Sequence, residues 1–399
     1  MILSKNLKNV HSDIRGDIYM HALELEKKGE KVLKLNTGNP AAFGFKMPES
    51  IKNRIVSDVE ESLGYCDIRG RVDARESITS YHISKGIKGI TKEDIFIGNG
   101  VSEVAYMIIT ALIGNSDEII VPSPCYSLWT NFTFLAGGKV RFYECDEKNG
   151  WQPDVESIKK SITKNTKAIV IINPNNPTGA LYSREILLEI ADIARKNNLV
   201  IISDEIYDRL VLDEKEHISM GALAEDVSVI TMNGLSKSHC ICGLRCGWLC
   251  ISGLEKEKSI LREALVKIAS VRLCSNALMQ IIIPDALKDS EYTKNMIGAN
   301  GRILKQRNAT IEELDKIDGI SYVKNSAAFY LFPRIDLKRF GLSSDREFAQ
   351  KLLDKKHILI VPGSGFSCTD NEHFRIVMLP EENELRRAIK DIRDFLEER

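Results

Sequence analysis

The sequence has no long hydrophobic run and no excess of charge of one sign. No apolar stretch in its 399 residues approaches the length of a membrane-spanning helix. The formal net charge of −1 gives no overall field that would attract nucleic acid or an anionic membrane. The segment Met1–Asn6 runs into polar residues without an apolar core, which predicts no signal peptide. We therefore expect a cytoplasmic protein that binds neither nucleic acid nor membranes.

Repeats and flexible linkers are also lacking. The chain contains no internal repeat, no low-complexity tract and no Pro/Gly/Ser-rich linker. Its content of 43% hydrophobic and 28% charged residues is typical of a folded globular protein. The length suggests about two or three domains, and the absence of a linker predicts that they pack closely.

The nine cysteines do not form the pattern of a disulfide framework, because their number is odd and the chain looks cytosolic. Cys240, Cys242, Cys246 and Cys250 lie close together in sequence. Their spacing differs from the paired C-x2-C of structural zinc sites. We predict no metal site, and we expect Cys246 and Cys250 to be small buried residues of a strand. Oxidation of the cluster beside Lys237 is the alternative to a purely structural role.

Short apolar segments alternate with amphipathic ones through the middle of the chain. The predicted strands are Asp94–Ile97, Glu118–Val121, Ala168–Ile172, Leu199–Ser203, Val227–Met232 and Arg245–Ile251. The predicted helices are Ser102–Leu112, Val155–Ser161, Ser183–Asn197 and Glu255–Ala269. This alternation predicts an α/β fold with a mostly parallel sheet between layers of helices. Ligands of such sheets bind beyond the carboxyl ends of the strands.

The pattern changes after about residue 285. One long helix is predicted at Tyr292–Ile317, followed by short segments at Ile320–Val323, Ala328–Phe332, Ile358–Pro362 and Phe374–Met378. An amphipathic helix carrying Leu385, Ile389, Ile392 and Leu396 closes the chain. We predict a large domain at residues 46–284, and a smaller α/β domain formed by residues 1–45 and 285–399.

Lys237 follows the predicted strand Val227–Met232, and Arg245 comes eight residues later. An ammonium that loses its water loses part of its preference for the proton, and the free amine is a nucleophile. This setting suits a Schiff-base lysine beside a phosphate pocket. Taken alone, the residue is better read as a surface lysine in a loop, because lysines at strand ends are common.

Two further loops follow predicted strands, and each carries polar residues. Asn176 lies in the loop after Ala168–Ile172, and Asp204 and Tyr207 follow Leu199–Ser203. Each could simply belong to a turn or a helix cap. Together with Lys237 they fit pyridoxal phosphate. Asp204 can pair with the ring nitrogen, which lets the ring take up electrons, and Asn176 and Tyr207 can donate to the ring oxygen.

A phosphate site is predicted upstream. Gly100, Val101 and Ser102 join a strand to the N-terminus of the helix Ser102–Leu112, where backbone N–H groups can face a phosphate. Ser236 and Arg245 can add a hydroxyl and a fixed positive charge. Tyr126 follows the strand that ends at Val121 and can stack on a ring.

These motifs, in this order, resemble the fold-type-I pyridoxal-phosphate enzymes of the class I/II aminotransferase family. The resemblance runs from Asn36–Pro40 to His373–Ile376, which is nearly the whole chain. It implies that Tyr65 reaches the cofactor phosphate of a neighbouring subunit, in a homodimer with shared active sites. One departure is visible, since many relatives have a hydroxyl where this chain has Gly234.

The resemblance also implies a set of substrate contacts. Arg375 is expected to hold the substrate α-carboxylate, for which a bidentate guanidinium is suited. Gly38 is expected to lie against the substrate, and Asn176 beside it. The implied reaction is ping-pong transfer of an amino group between amino acids and 2-oxo acids, with Lys237 as base and then acid.

The substrate pair is predicted from the branch that the motifs resemble. Asn36–Phe45, Tyr65–Asp67, Val271–Cys274 and the Asn-Gly-Leu-Ser-Lys form around Lys237 are similar to the alanine aminotransferase branch. We therefore predict L-alanine and 2-oxoglutarate as substrates, with pyruvate and L-glutamate as products. Arg272 is a candidate for the distal carboxylate of 2-oxoglutarate, or else it forms a structural ion pair. Aspartate transfer, a pyridoxal-phosphate lyase and a non-enzymatic regulator are the alternatives.

Overall fold

Helices and strands alternate along the chain in the computed structural model, which describes residues 3–398. The strands are β1 (Leu33–Lys34), β2 (Ile95–Asn99), β3 (Glu118–Ser123), β4 (Lys139–Asp146), β5 (Gln152–Pro153), β6 (Thr166–Ile172), β7 (Val200–Asp204), β8 (Val229–Gly234), β9 (Cys246–Ser252), β10 (Ile320–Ser321), β11 (Tyr330–Leu331), β12 (Arg334–Ile335), β13 (Ile358–Leu359), β14 (Val361–Pro362) and β15 (Phe374–Val377). The α-helices are α1 (Asp17–Lys27), α2 (Glu49–Ser57), α3 (Val72–Ser84), α4 (Val101–Leu112), α5 (Leu128–Leu135), α6 (Val155–Ser161), α7 (Arg184–Asn197), α8 (Met220–Leu223), α9 (Leu235–Ser238), α10 (Glu255–Arg272), α11 (Ala277–Ile281), α12 (Ile283–Lys288), α13 (Glu291–Ile297), α14 (Arg302–Leu314), α15 (Asp345–Lys356) and α16 (Glu382–Glu397).

An eight-stranded sheet has the order β2-β9-β8-β7-β6-β3-β4-β5. Strands β4, β3, β6, β7 and β8 run parallel to one another. Strand β9 runs antiparallel to both β8 and β2, and β5 runs antiparallel to β4. The predicted mostly parallel sheet is therefore confirmed, and the carboxyl ends of β2, β3, β6, β7 and β8 meet at one edge.

Strand β6 illustrates why its apolar run folds in this way. Ile169 and Ile171 pack into one hydrophobic core, whereas Ala168, Val170 and Ile172 pack into another. Successive side chains of a strand point to opposite faces of the sheet. A strand covered on both faces is apolar at every position rather than at alternate ones.

The six predicted strands agree with the structure to within two residues at each end. Strand β4 was not predicted. Only Tyr143 and Cys145 of its eight residues are buried, so β4 lacks the apolar run that marks the central strands. Helix α7 begins directly after Ser183, the first residue of the predicted helix, and Ser183 Oγ caps it by accepting a hydrogen bond from the Ile186 backbone N–H at 3.3 Å.

The single helix predicted at Tyr292–Ile317 is wrong. The chain forms α13 and α14 instead, which are separated by a turn containing Gly298 and Gly301. A Cβ at Gly301 would lie 2.3 Å from the Met296 carbonyl oxygen. The close approach of backbone to backbone at this turn requires glycine and interrupts the helix.

A separate hydrophobic core lies mainly in the C-terminal part of the chain. Helix α1 contributes Ile18 and Ala22 to it, and α16 contributes Leu385, Ile389, Ile392 and Leu396, so the predicted amphipathic helix is confirmed. Strand β1 pairs in parallel with β13. The N-terminal segment thus packs with the C-terminal part, and the proposed domain limits at residues 45/46 and 284/285 stay a prediction. Within residues 3–398, the structure contains no helix with the length and apolar character needed to cross a membrane.

Candidate active site

The carboxyl ends of the parallel strands border a cavity of about 780 Å³. Its charged residues are Arg15, Asp204, Lys237, Arg245 and Arg375. Their polar and apolar neighbours in the wall include Gly38, Val101, Ser102, Tyr126, Asn176, Tyr207, Ser236, Cys242 and Tyr330. The structure therefore brings together most of the residues that the sequence singled out, although they lie up to 337 residues apart in the chain (from Gly38 to Arg375).

Lys237 lies in the one-turn helix α9, directly after the buried strand β8. Its Nζ donates a hydrogen bond to the Gly38 carbonyl oxygen at 2.8 Å. It also lies 5.9 Å from the centroid of the Phe329 ring. No carboxylate forms an ion pair with this amine in the part of the chain that the structure describes. An amine in this setting can react with a ligand without first breaking an ion pair.

Asp204 ends strand β7 and is 5% exposed. Burial raises the pKa of its carboxyl to about 6, although the Ile206 backbone N–H and the positive charge of Lys237 oppose the shift. Asp204 forms no ion pair with any residue that the structure describes. A buried acid of this kind is suited to a positively charged ligand atom.

The residues of the predicted phosphate site lie together at the N-terminus of α4. Gly100 has φ +81°, and a Cβ there would lie 2.3 Å from Arg245 Nη2. Arg245 donates to the carbonyl oxygens of Cys242 (2.8 Å) and Asn99 (3.3 Å), which holds its guanidinium beside the helix end. Ser102 and Ser236 also line the cavity. Free helical N–H groups, hydroxyls and a guanidinium make a suitable anion site.

Gly234 explains the departure from the family pattern. It pairs with Gly247 of the neighbouring strand β9. A Cβ at Gly234 would lie 2.6 Å from the Cys246 carbonyl oxygen. The backbone of β9 therefore leaves no room for the hydroxyl side chain that many relatives carry at this position.

Tyr207 and Tyr330 form a hydroxyl pair in the cavity wall, with their oxygens 2.8 Å apart. Burial, with Tyr330 next to it, raises the pKa of Tyr207 well above its usual value. Tyr207 thus stays protonated and can donate. A Cβ at Gly38 would lie 2.2 Å from the Tyr330 hydroxyl oxygen, so a larger residue at position 38 would displace this pair.

Arg375 is 1% exposed and has no acidic partner among the described residues. Its Nη1 donates to Asn176 Oδ1 at 2.9 Å, and its Nη2 donates to the Asn36 carbonyl oxygen. Its guanidinium carbon lies 4.6 Å and 4.7 Å from the ring centroids of Tyr330 and Phe366. Its Nε is buried without a hydrogen-bond partner. Such an arginine is oriented but not neutralised, which suits it to a carboxylate ligand.

Tyr126 lies in the cavity wall, as predicted, whereas Tyr65 does not. Tyr65 is 86% exposed on the surface of this chain. Its predicted contact is with another subunit, so this position neither supports nor contradicts the prediction.

The structure does not support a substrate contact for Arg272. Its Nη1 forms an ion pair with Glu103, and Nη1 and Nη2 donate to the carbonyl oxygens of Ile97 (3.1 Å) and Ile68 (2.8 Å). It lies outside the cavity wall. The structure thus contains the alternative arrangement, an ion pair between Arg272 and Glu103.

Sequence reasoning missed Arg15 and Tyr330, which both line the cavity. Tyr330 lies within the short segment Ala328–Phe332, where no neighbouring motif marks it as a functional residue. Arg15 precedes helix α1 in a segment without a recognisable motif. Only the three-dimensional packing brings either residue to the strand ends.

The fold and the cavity define an enzyme of the fold-type-I aminotransferase class. Residues 30–392 match the family "Aminotransferase class I and II", and the chain belongs to this family. Enzymes of this family are dependent on pyridoxal phosphate.

Named relatives cover nearly the full chain. The chain is 45% identical to the glutamate-pyruvate aminotransferase AlaA of Haemophilus influenzae, over 98% of this chain and 97% of that protein. It is 41% identical to the alanine aminotransferase of Mycobacterium tuberculosis, over 98% and 92% of the two chains. Among solved structures, the alanine aminotransferase from Pyrococcus furiosus has a TM-score of 0.95 and 39% identity, with 100% of both chains covered. The predicted fold class and aminotransferase activity are thereby confirmed.

Proposed function

We propose that this enzyme transfers the amino group between L-alanine and 2-oxoglutarate with pyridoxal phosphate as cofactor. The observation that carries the proposal is a buried, unpaired Arg375 in the same cavity as the unpaired amine of Lys237. The names of the relatives favour alanine and glutamate–pyruvate transfer. Aspartate is the alternative amino donor, but solved aspartate aminotransferases from Thermus thermophilus and Thermotoga maritima are less similar to the chain, at 27% and 30% identity.

The unpaired groups of the cavity fit this cofactor. The buried Asp204 carboxylate suits a protonated ring nitrogen, and the cradle of Gly100, Ser102 and Arg245 suits a phosphate. The residues that would hold the cofactor are Gly100, Val101, Ser102, Tyr126, Asn176, Asp204, Tyr207, Ser236, Lys237 and Arg245, with Tyr65 from a neighbouring subunit.

Pyridoxal phosphate, when bound, supplies an aldehyde that captures the amino group and a ring that takes up electrons from the substrate Cα. The chain supplies the rest. Arg375 holds the α-carboxylate and thereby fixes the orientation of the Cα–H bond. Lys237 Nζ removes the Cα proton and later donates a proton, so it acts as base and then acid. Asp204 keeps a positive charge at the ring nitrogen favourable, and Tyr207 stays protonated as a donor.

A homodimer is supported by exposed apolar side chains. Leu63, Tyr65 and Val271 are 82%, 86% and 89% exposed on the single chain. The hydrogen bond from Arg272 to the Ile68 carbonyl oxygen, 2.8 Å long, joins the segments on which they lie. Burial of this apolar surface against a second copy would carry Tyr65 towards the partner's cavity. The cytoplasmic location stays a prediction from the sequence.

The test is a set of half-reactions with purified enzyme loaded with pyridoxal phosphate. Each amino acid is mixed alone with the enzyme, and its conversion to the 2-oxo acid is followed in single turnovers. We expect rapid conversion of alanine and glutamate and slow conversion of aspartate. Rapid aspartate conversion with slow alanine conversion would make aspartate the donor. Release of ammonia without any 2-oxo acid acceptor would favour the lyase alternative.

A further inference from the structure

Arg15 is a cation of the cavity wall to which the proposed function gives no role. Lys237, Arg245 and Arg375 are each matched to a group of the cofactor or of the amino acid. Arg15 lines the same cavity, and its side chain is exposed. Across residues 3–398 the structure gives its guanidinium no carboxylate and no hydrogen-bond acceptor. Arg15 is therefore a fourth cation of the cavity without an ion-pair partner among the described residues.

Hydrogen bonds of Asn36 connect the backbone next to Arg15 with the side chain of Arg375. Arg15 ends a short 3-10 helix, Asp13–Arg15. The carbonyl oxygen of Ile14 accepts a hydrogen bond from Asn36 Nδ2 at 3.0 Å. The carbonyl oxygen of the same Asn36 accepts from Arg375 Nη2.

The neighbouring side chain fixes this segment further. Ile14 is buried in the hydrophobic core that also contains Phe366, and Phe366 stacks against the guanidinium of Arg375. The backbone at position 15 is thus held on the same wall as Arg375. The Arg15 side chain itself is exposed.

The two kinds of substrate differ by one charge. Alanine and pyruvate carry a single carboxylate, whereas glutamate and 2-oxoglutarate carry a second one at the far end of the carbon chain. Arg375 accounts for the α-carboxylate. A second guanidinium can bind the distal carboxylate through two parallel hydrogen bonds.

We infer that Arg15 binds the distal carboxylate of glutamate and 2-oxoglutarate. This assignment rests on the proposed function. It also explains how one cavity takes both kinds of substrate. An exposed, unpaired arginine turns into solvent when alanine is bound, so no buried charge is left without a partner. Arg272 is unsuited to this role, because its guanidinium already donates to Glu103 and to two backbone carbonyl oxygens.

The experiment compares Arg15→Gln with wild type in the holoenzyme, with Arg272→Gln as the matched control. Single-turnover half-reactions are measured with glutamate and with alanine. We expect Arg15→Gln to raise the apparent dissociation constant for glutamate by about 10- to 100-fold, the loss of a charge-assisted pair. The value for alanine should stay unchanged, which also shows that the variant is folded. Arg272→Gln should leave the ratio of the two values unchanged.

A binding measurement provides a second readout that does not depend on turnover. Titration calorimetry with glutarate, a dicarboxylate without an amino group, is compared with butyrate, a monocarboxylate. Arg15→Gln should weaken glutarate binding and leave butyrate binding unaffected. Equal effects on both ligands and both amino acids, or an effect of Arg272→Gln alone on glutamate, would overturn the assignment. A wild-type enzyme that converts neither alanine nor glutamate would instead refute the proposed function.

Discussion

The cavity and a cluster of residues around Arg334 differ in whether their charged side chains form ion pairs. In the cavity, four cations and Asp204 line one wall, and the structure places none of them in an ion pair within the described residues. The Arg334 cluster consists of Glu147, Arg334, Asp370, Glu372 and His373. There Arg334 pairs with Glu147 and Asp370 at 2.7 Å each, and also with Glu372. His373 is bound to Asp370 at 2.9 Å and to Glu147 at 3.3 Å.

The pKa values of the two regions reflect this difference. Burial raises the pKa of Asp204 to about 6, so the folded protein holds its charged form at a cost. Burial alone would lower the pKa of His373, but its hydrogen bonds, first of all to Asp370, raise it to about 10. The fold thus stabilises the charge of His373. Unpaired charges are costly and persist where a ligand supplies the partner, whereas paired charges support the fold.

The largest effect is expected at the centre of the cavity. In the proposed mechanism, Lys237→Ala removes both the amine that holds the cofactor and the proton carrier. We expect kcat to fall by about 10⁴-fold, the upper range for loss of a general acid–base group. The substitution should hardly change stability, because Lys237 forms no ion pair. Steady-state kinetics and thermal unfolding measure the two quantities, and a fully active variant would contradict the role of Lys237.

The next effect concerns recognition of substrate. In the proposed mechanism, Arg375→Ala removes two charge-assisted hydrogen bonds to the α-carboxylate. We expect KM to rise by about 10²- to 10⁴-fold, since each such bond contributes roughly 1.5–3 kcal/mol. Every amino acid should be affected alike, because all share this carboxylate. An increase for one substrate only would mean that Arg375 contacts its side chain instead.

Substitution of Asp204 is expected to increase the stability of the ligand-free protein, whereas the two preceding substitutions are expected to impair catalysis or binding. Its pKa is about 6 when folded, above the usual value of an unfolded aspartate. The folded state therefore binds the extra proton, and the stability contributed by this residue falls as pH rises from about 4 to about 6. Ligand-free Asp204→Asn should be more stable than wild type at pH 7, by on the order of 2–3 kcal/mol.

The control for Asp204 is the same comparison in acid. The difference in stability between Asp204→Asn and wild type should vanish below about pH 4, where Asp204 is protonated in both the folded and the unfolded state. Activity should fall strongly even though the variant is more stable. A variant that is less stable at pH 7 would place Asp204 among the paired, structural charges.

The smallest effect on catalysis is expected in the Arg334 cluster. Arg334→Met leaves three carboxylates and His373 without their central cation. We expect a loss of about 1–2 kcal/mol in the free energy of unfolding, reduced by the partial exposure of these groups. The kinetic constants should stay close to those of wild type. A loss of activity without a loss of stability would contradict the structural role of the cluster.

The parts of the site that follow apolar strands could be predicted from the sequence. Asp204 and Lys237 stand directly after strands that are buried on both faces, so their positions at one edge of a parallel sheet follow from local pattern and topology. Arg15 and Tyr330 reach the cavity only through packing between distant segments, and no local pattern marks them. Arg272 resembled a substrate residue in sequence, but its ion pair with Glu103 depends on a contact 169 residues away. The division of α13 from α14 was missed because it depends on a close backbone contact at Gly301.

The central claim is that the unpaired charges of the cavity serve ligands and not the fold. It is tested most directly by the thermal unfolding of ligand-free Arg375→Met beside ligand-free Arg334→Met. Both replace an arginine by an apolar side chain of similar length. The account predicts that Arg375→Met unfolds at or above the temperature of wild type, because a buried cation without a carboxylate is removed. Arg334→Met should unfold at a lower temperature. Destabilisation of Arg375→Met equal to or greater than that of Arg334→Met would contradict the claim.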